Sequence, residues 1–264
     1  MSAAPPPIAD AEVARVLCLL APLAADRSAI LVGGQAVSVW AQRLGVEVSG
    51  GSLANPLASK DIDFEGSADA AGVAAGLLGG RSRVPSSDHH TPLAAVVFFD
   101  DSDGIERRID FLVSPLGLDG GDVRDTAVEL EIGRDAPPTA LWVMHPERVM
   151  ESRIANVQIL GIDDEHAMAQ LRTSITIARE WSRFLLDDES IAERDRVRAV
   201  LRLNERVFRN CVGELRFRQL FAEHGIDPFD AVLVDDERLP GQFRHRRYPQ
   251  MVDQLADRRR PVDP

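Results

Sequence analysis

Four apolar residues, Ala29-Ile30-Leu31-Val32, run together and stop at Gly33-Gly34. An uninterrupted apolar run of this length predicts a short buried strand. Ala36, Val37, Val39 and Trp40 then supply the apolar surface of a helix over 35–44. Asp61-Ile62-Asp63-Phe64-Glu65 alternates polar and apolar positions and reads as a second strand. An alanine-rich stretch, 69–79, predicts a helix that Gly79-Gly80 stops. Runs 94–99 and 105–113 flank Asp100-Asp101-Ser102-Asp103-Gly104 and predict a hairpin. Upstream, Val13, Val16, Leu17 and Leu20 lie at helical spacing within 10–25. Segments 47–59, 81–93 and 115–122 read as irregular, and one or two short strands are expected within 125–143, with 139–144 the better candidate.

Beyond Pro146 the pattern changes to helix almost throughout, over 147–160, 163–186, 189–210 and 212–224. A break at Asp227-Pro228 precedes a last short helix and a basic tail. The layout is α+β: strands and helices first, an all-helical half second. The composition switch divides the chain into a catalytic domain, 1–145, and a helical substrate- or partner-binding domain, 146–264.

The alternation carries the chemistry. Asp61 and Asp63 share one face of their strand while Ile62 and Phe64 take the other. In the hairpin, Asp110 shares its face with Arg108 and Leu112. Converging carboxylates repel one another unless a cation joins them, and a hard divalent cation takes oxygen ligands of this kind together with a substrate phosphate. Gly33-Gly34 closes a strand and opens a helix. It reads either as a plain turn or as a place where the backbone approaches an anion at a helix N-terminus.

The ordered set Val32-Gly33-Gly34, Ser59-Lys60-Asp61-Ile62-Asp63-Phe64 and Asp110 resembles the nucleotidyltransferase fold of the polymerase-beta-type superfamily. Within it the chain is similar to the minimal nucleotidyltransferases and the AbiEii-type toxin enzymes. The likeness is specific over 29–113 and looser along His145-Pro146-Glu147-Arg148-Val149-Met150-Glu151-Ser152-Arg153. The resemblance implies a nucleotidyltransferase-like mixed sheet with flanking helices, followed by the helical half. It implies Mg²⁺ (or Mn²⁺) on Asp61, Asp63 and Asp110, with Asp110 also helping to activate the acceptor hydroxyl. Gly33, Gly34, Ser59, Lys60, Arg153 and Asn156 are the nucleotide contacts it suggests, Asn156 because it shares a helix face with Arg153. The loop over 47–59 is longer and less basic than in many relatives. Lys60 either makes up for a missing arginine there or faces solvent.

The activity so implied is transfer of a nucleoside monophosphate from an NTP to an acceptor hydroxyl on an RNA or tRNA end or on a protein, in the manner of a toxin with an antitoxin partner. The competing readings are a small-molecule, antibiotic-type nucleotidyltransferase and a degenerate, non-catalytic binding protein. Retention of three aspartates and both glycines opposes the last.

Composition narrows the setting. Net charge is −12 over 264 residues, which argues against indiscriminate coating of nucleic acid. Residues 1–150 hold 11 basic and 21 acidic side chains, whereas 151–264 hold 19 and 21. Any polyanion site is therefore expected in the second half, where Arg244, His245, Arg246, Arg247, Arg258, Arg259 and Arg260 form either a platform or a solvated tail. Cys18 and Cys211 both fall in helical patterns and are expected to be buried thiols, which with the absence of a secretory signal suggests a cytoplasmic location. No membrane association is expected. His89-His90 reads as part of a loop, and Trp40, Trp142 and Trp181 as packing residues. Arg108 either pairs with the acidic centre or touches substrate.

Overall fold

The computed structural model describes residues 7–24, 27–47, 61–86, 91–132 and 139–259. The chain divides into two compact units, one formed by Met1–Val39 and Gly50–Ser152, the other by Trp40–Ser49 and Arg153–Pro264. The expected boundary at 145/146 falls at the start of a helix, Pro146–Leu160, within which the units exchange.

In the first unit α1 (Asp10–Leu19) and a 3-10 turn (Ala21–Ala24) lead into β1 (Ala29–Val32). There follow α2 (Gly33–Leu44), β2 (Ile62–Gly66), α3 (Ala68–Leu78), β3 (Arg81–Arg83), β4 (Leu93–Asp100) and β5 (Glu106–Leu112). Then come α4 (Gly120–Thr126), β6 (Val128–Ile132), β7 (Thr139–Val143) and α5 (Pro146–Leu160). The strands form one mixed sheet in the order β3-β4-β5-β2-β1-β7-β6. β1 pairs antiparallel with β2 and parallel with β7, and β2 pairs parallel with β5. All four residues of β1 are buried, as a central strand covered on both faces requires. Ile62, Phe64, Ile109 and Phe111 have no exposed surface, and the two phenyl rings stack with centroids 5.6 Å apart.

Two segments expected to be irregular are ordered. Arg81-Ser82-Arg83 carries no apolar signal, yet it completes the sheet edge by antiparallel pairing with Phe98, Val97 and Val96. Within 115–122, Asp119 caps α4 by accepting from the backbone N–H groups of Gly121 and Asp122. Cys18 also departs from expectation. It is exposed on the outer side of α1, while Val13, Val16 and Leu17 of that helix are buried.

The second unit contains α6 (Glu165–Asp187), α7 (Glu193–Gly213), α8 (Leu215–His224), a 3-10 turn (Pro228–Ala231), a π-helical turn (Phe243–Arg247) and α9 (Tyr248–Arg259). Trp40 packs edge-on against Trp181, 5.1 Å between centroids. Asn204 clamps the extended segment after the 3-10 turn. Its amide donates to the Leu233 carbonyl at 2.8 Å and accepts from the Leu233 N–H at 3.0 Å. Of the basic residues expected as a platform or a solvated tail, two are ion-paired within this unit, while His245, Arg246 and Arg258 are exposed. Arg247 pairs with Glu205 and Arg259 with Asp227. Cys211 is buried, and burial pushes its thiol well above the ordinary value. Trp142 is only half-buried, with the Arg27 guanidinium 3.8 Å over its ring. Among the described residues no helix is long and apolar enough to cross a membrane.

The β4–β5 hairpin is locked by a buried ion pair. Asp101 accepts from the backbone N–H groups of Asp103 and Ile105, and from Arg107 Nε at 2.7 Å. The Ile105 N–H, foremost, and the Arg107 guanidinium hold this carboxyl below its usual range. A carboxyl that ionises more readily folded than unfolded stabilises the fold above its unfolded pKa, and that contribution is lost as pH falls through the folded value. Asp101→Asn is therefore expected to melt below the wild type at neutral pH, with the gap closing below about pH 4. Thermal melts of both proteins across this range check it, and a gap that stays constant with pH overturns it.

Candidate active site

β1, β2 and β5 bring the predicted carboxylates together. Val32 is opposite Asp63 in the β1–β2 ladder, and Asp63 is opposite Asp110 in the β2–β5 ladder. Asp61 immediately precedes β2, one residue outside the strand. Ile62, Phe64, Ile109 and Phe111 point into the core, so Asp63 and Asp110 occupy the opposite face of neighbouring strands.

Gly33 sets the edge of this face. Its φ of +66° is a conformation that L side chains rarely adopt. A Cβ at this position would lie 2.1 Å from Asp63 Oδ2 and 2.9 Å from Asp63 Cβ. The Asp63 carboxylate therefore abuts the first residue of α2, a helix with no acidic residue in its own first turn. The backbone N–H groups there favour an anion. Gly34 is the second residue of α2, and Ser38 Oγ donates to its carbonyl at 3.3 Å.

Arg108 bridges two of the three aspartates. Its Nη2 donates to Asp61 Oδ2 at 3.1 Å, and its Nε lies 3.0 Å from Asp110 Oδ1. The second contact is an ion pair without hydrogen-bond alignment, so Asp110 Oδ1 is buried and accepts no hydrogen bond from the described residues. Burial, chiefly, and the neighbouring Asp61 charge raise the Asp110 carboxyl above the usual range, with Arg108 opposing them. Arg108 itself is 46% exposed. Among the described residues no three His, Cys, Asp or Glu side chains form a ready-made metal cage. At this face a guanidinium stands between Asp61 and Asp110. The donor set is nonetheless all oxygen, with one orphaned buried acceptor, which suits a hard cation such as Mg²⁺.

A fourth carboxylate belongs to the same row and was missed. Glu65 continues the Asp61, Asp63 alternation and has no exposed surface. Arg124 of α4 seals it, with Nη2 at 2.5 Å and Nε at 3.2 Å. Burial still outweighs the arginine and raises the Glu65 carboxyl. The alternation itself was the signal that could have found it.

Ser59 and Lys60, like His89 and His90, lie outside the described residues. Arg153 and Asn156 are on α5 in the second unit. Arg153 Nη1 donates to Gln170 Oε1 at 3.0 Å, and the Asn156 carbonyl accepts from the Ile162 N–H. A recess of about 400 Å³ in the second unit, lined by Asp187, Glu189, Glu193, Arg196 and Arg238, contains none of the predicted site residues.

No protein-family model matches the chain, and no curated protein matches it by sequence. Among solved structures, the chain is similar to an antigenic nucleotidyltransferase-like protein from Paracoccidioides brasiliensis. Identity is 15%, coverage 65% of this chain and 79% of that one, and TM-score 0.40. It is also similar to JHP933 from Helicobacter pylori, at 12% identity, coverage of 95% and 98%, and TM-score 0.35.

Replacing Gly33 by alanine tests the geometry of the face. The left-handed backbone alone costs about 1–2 kcal/mol, and the new methyl must also displace Asp63. Chemical denaturation of Gly33→Ala is expected to show at least this loss, and unchanged stability overturns the assignment.

Proposed function

We propose that the chain is a divalent-metal-dependent nucleotidyltransferase, moving a nucleoside monophosphate from an NTP to an acceptor hydroxyl. One observation supports this most: Asp63 and Asp110 are paired on one sheet face beside the Gly33 start of α2, and Arg108 links Asp110 to Asp61, which immediately precedes the strand of Asp63. Asp61, Asp63 and Asp110 would hold the metal, which when bound supplies positive charge to the phosphates and to the developing charge at the α-phosphorus.

The chain's own groups do the rest. Backbone N–H groups at Gly33-Gly34 orient the triphosphate. Asp110, made more basic by its burial, accepts the proton of the acceptor hydroxyl. The acceptor oxygen forms its bond to the α-phosphorus as the bond from that phosphorus to the bridging oxygen breaks, and pyrophosphate leaves. Arg108 must swing away from Asp61 and Asp110 before a cation can join them, and its freed guanidinium is then suited to a phosphate oxygen. Ser59, Lys60, Arg153 and Asn156 are the further nucleotide contacts this reading assigns. The resemblance to AbiEii-type toxins makes an RNA or tRNA end, or a protein hydroxyl, the acceptor class and an antitoxin protein the partner to seek.

Purified protein given Mg²⁺, labelled NTPs and cell RNA or extract is expected to release pyrophosphate and label the acceptor. Asp61→Ala and Asp63→Ala should each lower the rate by about a hundredfold or more, and unchanged turnover in both overturns the assigned centre. Metal binding has a separate readout. In the absence of metal, Asp110→Asn is expected to melt no lower than the wild type at neutral pH. A carboxyl whose folded pKa is raised favours the folded state only when protonated, and that preference is lost as pH rises through the raised value. Mg²⁺ should raise the wild-type melting temperature and leave that of Asp110→Asn unmoved; an equal rise in both removes Asp110 from the metal site.

A further inference from the structure

The exposed face of α7 plays no part in the centre described above. Arg194, Arg198, Arg202, Arg206 and Arg209 succeed one another at intervals of four, four, four and three residues. That spacing keeps all five on one side of the helix, opposite the buried Val200, Asn204, Val207, Phe208 and Cys211. Successive guanidiniums four residues apart are separated by about 6 Å along the axis, and the row extends about 22 Å. Arg194, Arg198, Arg202 and Arg209 are exposed.

Two carboxylates of α7 itself, Asp195 and Glu205, share this face. Asp195 meets Arg198 at 3.5 Å in an exposed pair, a contact worth little in water. Glu205 is engaged from outside the helix by Arg247, at 2.6 and 2.8 Å, with the Arg247 guanidinium 5.0 Å from the centre of the Phe208 ring. This pairing holds the Glu205 carboxyl below its usual range and brings a further guanidinium to the same surface.

The partner follows from the chemistry. A chain of net charge −12 gains nothing in solubility from a concentrated positive row. Arginine is nearly the sole cation of this chain, so the row's use of it is general, but its planar fork does match phosphate oxygens. The spacing is regular and linear, of the order of the separation between consecutive phosphates along a strand. α7 exposes no large apolar side chain, whereas lying on a lipid surface requires an inserted apolar face. We infer that the arginine row of α7 is a docking surface for the phosphate backbone of an RNA strand. This rests on the nucleotidyltransferase reading with an RNA acceptor and adds the surface that takes hold of it.

The test is binding of the full chain, without NTP or metal, to a labelled single-stranded RNA of about 20 nucleotides by fluorescence anisotropy. The titration is repeated between about 50 and 200 mM salt. Arg198→Ala, Arg202→Ala and Arg209→Ala combined should weaken binding about tenfold or more and flatten the logarithmic salt slope by about 2, three phosphate contacts being lost. The matching triple change to lysine should retain the slope, because the charges remain. Equal affinity and slope in the alanine variant, with its melting temperature unchanged, overturns the proposal. So does equal affinity of the wild type for polyglutamate or phosphatidylserine vesicles.

The two readings fail separately. RNA binding that depends on α7 in a protein that transfers no nucleotide sinks the enzymatic reading alone. Nucleotide transfer to RNA that is indifferent to the α7 variants sinks this one alone.

Discussion

The contact between the first residue of α2 and Asp63 is the constraint on which the rest of the first unit depends. β1 is buried on both faces and must hand over to α2 without a linker. Only a residue with no side chain and a positive φ can make that turn against a neighbouring carboxylate. Once it is made, the β1–β2 register places Asp63 beside the helix start, and the β2–β5 register places Asp110 beside Asp63. The carboxylate face is thus a product of strand pairing. Its apolar counterpart, Ile62, Phe64, Ile109 and Phe111, keeps that pairing in place, because a one-residue slip would drive the carboxylates into the core.

Two arginines manage the charge of this face in different ways. Arg124 seals Glu65, which has no exposed surface, and ties α4 to the sheet. Arg108 spans Asp61 and Asp110 from an exposed position, with one poorly aligned contact. The first pair is structural: Glu65 has no exposed surface, so removing Arg124 would strand a buried carboxylate. The second is exchangeable, since water or another cation can take over either end. Both Glu65 and Asp110 are held above the usual carboxyl range because desolvation exceeds what their arginines return.

Much of the sheet was legible in the sequence because period-two alternation is a direct consequence of strand geometry. The buried run of β1, the alternation through Asp61–Glu65 and the turn at Asp100–Gly104 mark three neighbouring elements without reference to anything distant. β3 was not legible, because Arg-Ser-Arg is held by backbone pairing to β4 rather than by burial. The start of α4 was masked by the glycines at 120 and 121, whose helical state depends on the Asp119 cap. Glu65 lay in plain view of the alternation, but its burial depends on Arg124, 59 residues away. Among the basic C-terminal residues, readable as a platform or a solvated tail, Arg247 and Arg259 are paired with Glu205 and Asp227, 42 and 32 residues distant, beyond what local sequence reveals. Ser59 and Lys60 lie outside the described residues, so the sequence remains the whole basis for their assignment.

The contrast between the two cysteines has a practical side. Cys18 is on the outer surface of α1, and Cys211 is enclosed with its thiol held in the protonated form. The chain thus carries its own single handle for thiol-directed chemistry. A maleimide dye or spin label should attach to the sheet-bearing unit alone, which provides a local reporter in the native sequence with no engineered residue.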